Sequence, residues 1–281
     1  MIDHVVLLLL MGVAAAGVIA MLFPPSPRVF IIAAIWFAGC LVPLVLAQAS
    51  RIPDPLSLSD AMDFAGAAAL HLSLAVYAST AIRVSASPAP TPPIRERAGW
   101  RAVVGAVALV AAWCAWIVAL EGRLTVFTAA LVGNVLLSAL GGLGGATLVA
   151  GLRARHRNDP LGGLLAGLAA ASAAASGIPP AAALSVGFAA GIVAVMSGAR
   201  GGVVRPRSWI RPTGMGALIG LLAVGVLDVR SGFFFTGQPT AVIAQLVLVA
   251  VAIVVPAALG AVGGLIGRGG TGAASASEPS A

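Results

Sequence analysis

The sequence predicts an all-α membrane protein of about nine transmembrane helices. Three observations carry that prediction. Of the 281 residues, 60% are hydrophobic and only 9% charged, with a mean hydropathy of +1.06; a soluble domain holds about 45–50% apolar and about 25% charged residues. Nine apolar runs follow one another along the chain, most of them near the roughly 20 residues that cross a bilayer core of about 30 Å. The arginines gather in alternate gaps between those runs.

Apolar runs cut by proline, glycine and charge place helices at 4–23, 29–48, 61–82, 101–120, 125–151, 161–175, 180–199, 212–228 and 239–266. The first opens on Met1-Ile2-Asp3-His4 without the basic stretch of a cleavable signal, so it is expected to remain as a span. Pro24-Pro25 ends it, and Arg51 follows the second. The third runs to Arg83. The fourth starts at Arg101 and stops before Glu121-Gly122-Arg123; the fifth continues to the cluster Arg153-Ala-Arg-His-Arg157. Pro160 opens the sixth, Pro180 the seventh, Pro212 the eighth and Pro239 the ninth, each where a missing backbone donor is tolerated.

All sixteen basic residues are arginine. Thirteen fall in one set of gaps (Arg28, Arg83, Arg95, Arg97, Arg101, Arg153, Arg155, Arg157, Arg200, Arg205, Arg207, Arg211 and Arg268), and only Arg51, Arg123 and Arg230 in the other. The positive-inside rule then puts the N-terminus outside and the C-terminus in the cytoplasm of a multi-pass protein of the cell membrane. The net charge of +7 and pI of 11.4 are thereby read as topology, and nucleic acid is not an expected partner. Arg153–Arg157 serves the same rule or contacts anionic lipid. Cys40 and Cys114 lie inside apolar runs and read as small buried hydrophobes.

Residues 1–83 form a first set of three helices, 84–100 a Pro-rich cytoplasmic linker, 101–266 six further helices, and 267–281 a disordered cytoplasmic tail. Gly141-Gly-Leu-Gly-Gly145, Gly162-Gly163 and Gly263-Gly264 predict close helix packing in lipid. Residues 66–76 and 214–224 match at glycine, alanine, leucine, leucine, alanine and valine. Their helices, the third and eighth, cross in opposite senses, which is the pattern of an inverted repeat with a solute path at its interface.

Two ionisable residues fall clearly within a span, Asp63 and His71, both on the third run. Their eight-residue separation is about 12 Å along a helix, so Asp63 is expected near the outer mouth and His71 near the middle. A carboxylate at mid-membrane costs about 2.5–3.5 kcal/mol, and Asp63 should therefore have partners. It is expected to anchor the outer vestibule, to cap the helix, or both. A neutral imidazole at His71 can donate and accept a hydrogen bond, toward a small polar solute or a neighbouring helix. Trp113 and Trp116 share a face of the fourth run and serve packing or a lipid belt. Glu121 and Asp159 read as solvated loop charges. No phosphate loop, metal-ligand cluster or nucleophile–base pair is present, so neither enzyme activity nor a cofactor or metal is expected.

The segment Asp63-Phe-Ala-Gly-Ala-Ala-Ala-Leu-His71 resembles the ammonium transporter (Amt/Rh) family, whose fifth helix carries Asp-Phe-Ala-Gly-Gly-x-x-x-His. Three further segments resemble the family in order. Gly232-Phe-Phe-Phe-Thr-Gly237 with Gln245-Leu246 is similar to its Gly-Leu-Phe-Tyr-Gly-Gly and Gln-Leu pattern, and Thr213-Gly-Met-Gly-Ala-Leu-Ile-Gly220 to its His-Gly-Val-Gly-Gly-Ile-x-Gly. Pro160-Leu-Gly-Gly163 sits where the family turns into its eighth helix.

The resemblance implies an eleven-helix fold of two inverted repeats, a trimer of channels, and passage of ammonia or ammonium along a hydrophobic pore with paired histidines. It also implies departures. Residues 5–23 become the family's third helix, so the bundle lacks the first two. The second pore histidine falls on Thr213, the acid five residues before it on Ser208, one gating phenylalanine near Val118 and the outer cation-recruiting aromatic near Ala47. His71 would be the surviving pore imidazole, Thr213 its substitute partner, Val118 part of the path and Asp63 the structural acid at the outer mouth. The implied function is a channel for ammonia or ammonium, with homotrimer and lipid bilayer as partners. The alternative is a non-conducting partner or regulatory subunit of a full-length ammonium transporter.

Overall fold

The computed structural model describes residues 2–23, 26–49, 58–85, 99–152, 160–197 and 209–268, without the side chains of residues 2–4, 20–21 and 59. Every regular element among them is helical: α1 (Ile2–Leu22), α2 (Pro27–Ala49), α3 (Ala67–Ser85), α4 (Trp100–Glu121), α5 (Thr128–Leu152), α6 (Pro160–Ala174), α7 (Pro180–Ser197), α8 (Ile210–Leu227), the short α9 (Phe233–Thr236) and α10 (Thr240–Arg268). Seven are long and apolar enough to cross a membrane; Val5–Ile19 of α1 and all of α6 are shorter apolar helices. Most of the linker and tail, the arginines at 51, 95, 97, 153, 155, 157, 200, 205 and 207, and Asp159 and Ser208 lie outside the described residues.

One boundary is corrected by the structure. The third helix begins at Ala67, not at 61, because residues 63–66 form a turn closed by Gly66 in the left-handed region (φ 77°). Glycine takes that conformation without the Cβ penalty of other residues. Asp63 therefore precedes the helix, and the 12 Å helical rise between Asp63 and His71 does not apply.

The 15 residues of α6 rise only about 22 Å, less than the hydrocarbon core. It survives because almost all of it is buried, enclosed by α5, α7 and α8. Asn134 of α5 donates through Nδ2 to the carbonyls of Ala175 and Ile178 (2.9 Å each), serving acceptors that the helix end leaves open. Ser138 Oγ donates to Gly167 O at 2.7 Å.

Small residues set the spacing of these helices. A Cβ on Gly142 would overlap the Gly163 carbonyl oxygen, and one on Gly191 would overlap that of Gly142, so α5, α6 and α7 meet backbone to backbone. On the other side, α10 packs along α3 and touches α2 and α8. There the large buried rings find partners for their polar tips: Tyr77 Oη donates to Ile32 O (2.6 Å) and Trp36 Nε1 to Ser73 Oγ (3.1 Å). The first three long helices and the later ones thus form one bundle. α4 stands at its margin, touching mainly α5 with Trp100, Val103, Val104 and Val107 exposed.

Candidate functional site

The site is built on the start of α3. The Asp63 carboxylate accepts the backbone amides of Ala67, Ala68 (2.9 Å) and Ala69 (3.2 Å), three donors that have no partner inside the helix. Its negative charge also complements the positive end of the helix dipole. The Gly66 carbonyl then takes two amides, Leu70 at 2.7 Å and His71 at 3.3 Å. The second spans five residues, and residues Ala67–Leu72 form a π-helical turn. Such turns are rare and alter the side-chain register of the helix around them.

His71 is half-buried at the end of this turn. Its ring stacks on Trp113 of α4, with centroids 5.0 Å apart and planes inclined by 21°. Its Nε2 lies 3.3 Å from Ser172 Oγ on α6. Trp113 Nε1 donates to the same oxygen at 3.1 Å, and the hydroxyl lies 3.3 Å from Leu168 O. The Ser172 carbonyl accepts the Ala65 amide at 2.8 Å. One residue of α6 therefore holds the turn carrying Asp63 and the two rings beyond it.

A second ring of contacts closes the same end of the bundle. Gln245 Nε2 donates to Met62 O (2.8 Å), and Ser231 Oγ lies 3.6 Å from Met62 Sδ. Asp228, fully buried, accepts the amides of Arg230 (2.8 Å) and Ser231 (2.9 Å) through Oδ1. Its Oδ2 rests against Gly177, where a Cβ would overlap it. Val229 N donates to Gly177 O at 2.8 Å.

The hydroxyl within hydrogen-bonding distance of His71 is that of Ser172, not Thr213. Thr213 Oγ1 donates back to its own helix, 2.9 Å from Ile210 O and 3.1 Å from Trp209 O. Beside it, a Cβ on Gly214 would overlap that of Ala75, which places this part of α8 about one helical turn along α3 from His71. Val118 is half-buried on α4, five residues past Trp113, and Ala47 is half-buried on α2. The side chain of His4 and the whole of His156 are outside the described residues.

Ser172, Asp228 and Asn134 were not singled out in the sequence. An acid at the C-terminal end of a helix opposes the dipole, and Asp228 offered that signal. Ser172 offered only a hydroxyl in a run of alanines. No group of three or more metal-ligating His, Cys, Asp or Glu side chains occurs among the described residues.

Solved structures share this architecture. A sensor Amt protein is 19% identical, with a TM-score of 0.70 over 89% of this chain and 69% of its own. Mep2 of Saccharomyces cerevisiae is 14% identical, with a TM-score of 0.70 over 91% of this chain and 61% of its own. Mep2 of Candida albicans is 17% identical, with a TM-score of 0.66 over 90% and 61%. This chain thus spans between three fifths and seven tenths of the length of these structures, and at such identities the likeness concerns the fold. No curated protein matches the sequence. The family model described as the Ammonium Transporter Family matches residues 11–268. That region runs from α1 to the end of α10 and includes Asp63 and His71, and the chain belongs to the Ammonium Transporter Family.

Proposed function

We propose that the chain passes ammonia or ammonium across the cell membrane by a path that runs beside His71. The observation that carries this reading is the imidazole itself. It is half-buried within a bundle of apolar helices, one ring nitrogen meets Ser172, and no group among the described residues bonds the other. A cation entering an apolar path must shed water at a cost of several kcal/mol, so a polar atom along the way lowers the barrier for ammonium and orients ammonia. Asp63 keeps the π-helical turn in place and so fixes the ring. Thr213 and Val118 are proposed to lie along the same path, with the N-terminus outside, the C-terminus in the cytoplasm and three copies in the assembly.

A second reading has its own support. The Trp113 indole covers one face of the His71 ring, and α4 leaves a row of apolar side chains uncovered. Both suit a non-conducting partner of a full-length ammonium transporter. Purified chain in liposomes, alone and together with a full-length ammonium transporter, separates the two when internal pH is followed after an ammonium jump. Flux from the chain alone supports the channel; flux changed only in the mixture supports the partner.

A further inference from the structure

We propose that Ser172 and Trp113 are positioning residues that hold the His71 imidazole in its Nε2–H form, so that the Nδ1 lone pair is the atom offered to a passing solute. This rests on the reading of the site as a solute path and names what the path recognises: small molecules that carry N–H donors.

The assignment follows from counting donors and acceptors. The Ser172 hydroxyl has one proton and two lone pairs. The Trp113 indole N–H can only donate, and at 3.1 Å it takes one lone pair. The proton can go to Leu168 O or to His71 Nε2, each 3.3 Å from Oγ. The Leu168 carbonyl can only accept, whereas Nε2 accepts or donates according to the tautomer.

With the proton on the Leu168 carbonyl, a common bond for a serine inside a helix, the second lone pair faces Nε2 and is filled by an Nε2–H. The indole N–H, the hydroxyl and the imidazole N–H then all have acceptors. Turning the hydroxyl toward Nε2 moves the imidazole proton to Nδ1, where no described group accepts it, and leaves a Ser172 lone pair idle. The first arrangement makes three hydrogen bonds among these groups and the second makes two, and that difference favours Nε2–H. The stacked indole fixes the ring plane, and the bond to Ser172 selects the orientation within it that puts Nε2 on the hydroxyl and Nδ1 away from it.

The two halves of the proposal have separate readouts. Nitrogen-15 NMR of histidine-labelled chain in lipid nanodiscs reports the tautomer without reference to transport, and His71→Gln assigns the signal among the chain's three histidines. The expected result is a pyrrole-type Nε2 and a pyridine-type Nδ1 at His71. Ser172→Ala should turn this into a mixture of tautomers, whereas Trp113→Phe, which keeps the stacked ring and removes only the N–H, should leave the Nε2–H form in place. A protonated Nδ1 in the unaltered chain, or a pattern unchanged in Ser172→Ala, overturns the proposal.

Ammonium-driven flux in liposomes tests the substrate half. Even mixing of the tautomers leaves about half of the sites with Nδ1 as acceptor, so flux in Ser172→Ala should fall about twofold. No flux from the unaltered chain with the tautomer pattern intact would remove the solute path and leave the positioning role standing. Flux unchanged in a variant whose tautomers mix would remove Nδ1 as the recognising atom.

Discussion

Gly142 lies where α5, α6 and α7 converge, and Gly142→Ala is expected to cost about 2 kcal/mol. A Cβ there would overlap the Gly163 carbonyl oxygen and sit 2.9 Å from the Gly167 Cα. Both obstacles are backbone, so rotamer changes cannot relieve them and the helices must move apart. Overpacking of a tight core costs about 1–3 kcal/mol, and backbone obstacles place this site near the top of that range. Alanine recovers about 1 kcal/mol of helix propensity over glycine, which leaves a net loss of about 2 kcal/mol, roughly a 30-fold change in the folded-to-unfolded ratio.

Gly133, on the same helix, has nothing within 4 Å of where its Cβ would be. Gly133→Ala should therefore be neutral or stabilising by up to about 1 kcal/mol. Equilibrium denaturation of both variants in one detergent compares them directly. Equal stability of the two would refute backbone contact as the determinant of helix spacing.

Asp63→Ala should destabilise the chain by about 1–2 kcal/mol through loss of three amide partners, with Asp63→Asn intermediate because one acceptor oxygen remains; thermal unfolding in lipid nanodiscs checks the order. Gly177→Ala pushes a methyl group into Asp228 Oδ2, so it should lower stability by about 1–3 kcal/mol. In the Asp228→Ala background that loss should shrink, and an additive double-mutant cycle would show that the two residues do not meet.

Much of the architecture could be read from hydropathy alone, because in lipid an apolar run has no alternative but to form a helix with its own backbone satisfied. The run at 161–175 shows the limit of that logic: it is apolar enough for a span but too short, and only its burial by three neighbours, which no local pattern reveals, accounts for it. The Asp63-to-His71 spacing was visible as a motif, yet the turn between them was not, since Gly66 reads as one more small residue until its positive φ is seen. The backbone bond of Thr213 is likewise invisible in the sequence, because a hydroxyl inside a helix readily bonds the carbonyl a turn earlier and position along the chain does not reveal that choice. Ser172 escaped notice for a related reason: its neighbours in space, Trp113 and His71, come from two other helices.

The central claim, that a solute path runs beside His71, is tested most directly by an ammonium jump on liposomes holding the unaltered chain, His71→Ala, or no protein. A shift in internal pH faster with the unaltered chain than in protein-free liposomes, and slowed by the substitution in protein that remains folded, is the predicted result. Equal rates in the folded chain, its His71→Ala variant and protein-free liposomes would contradict it.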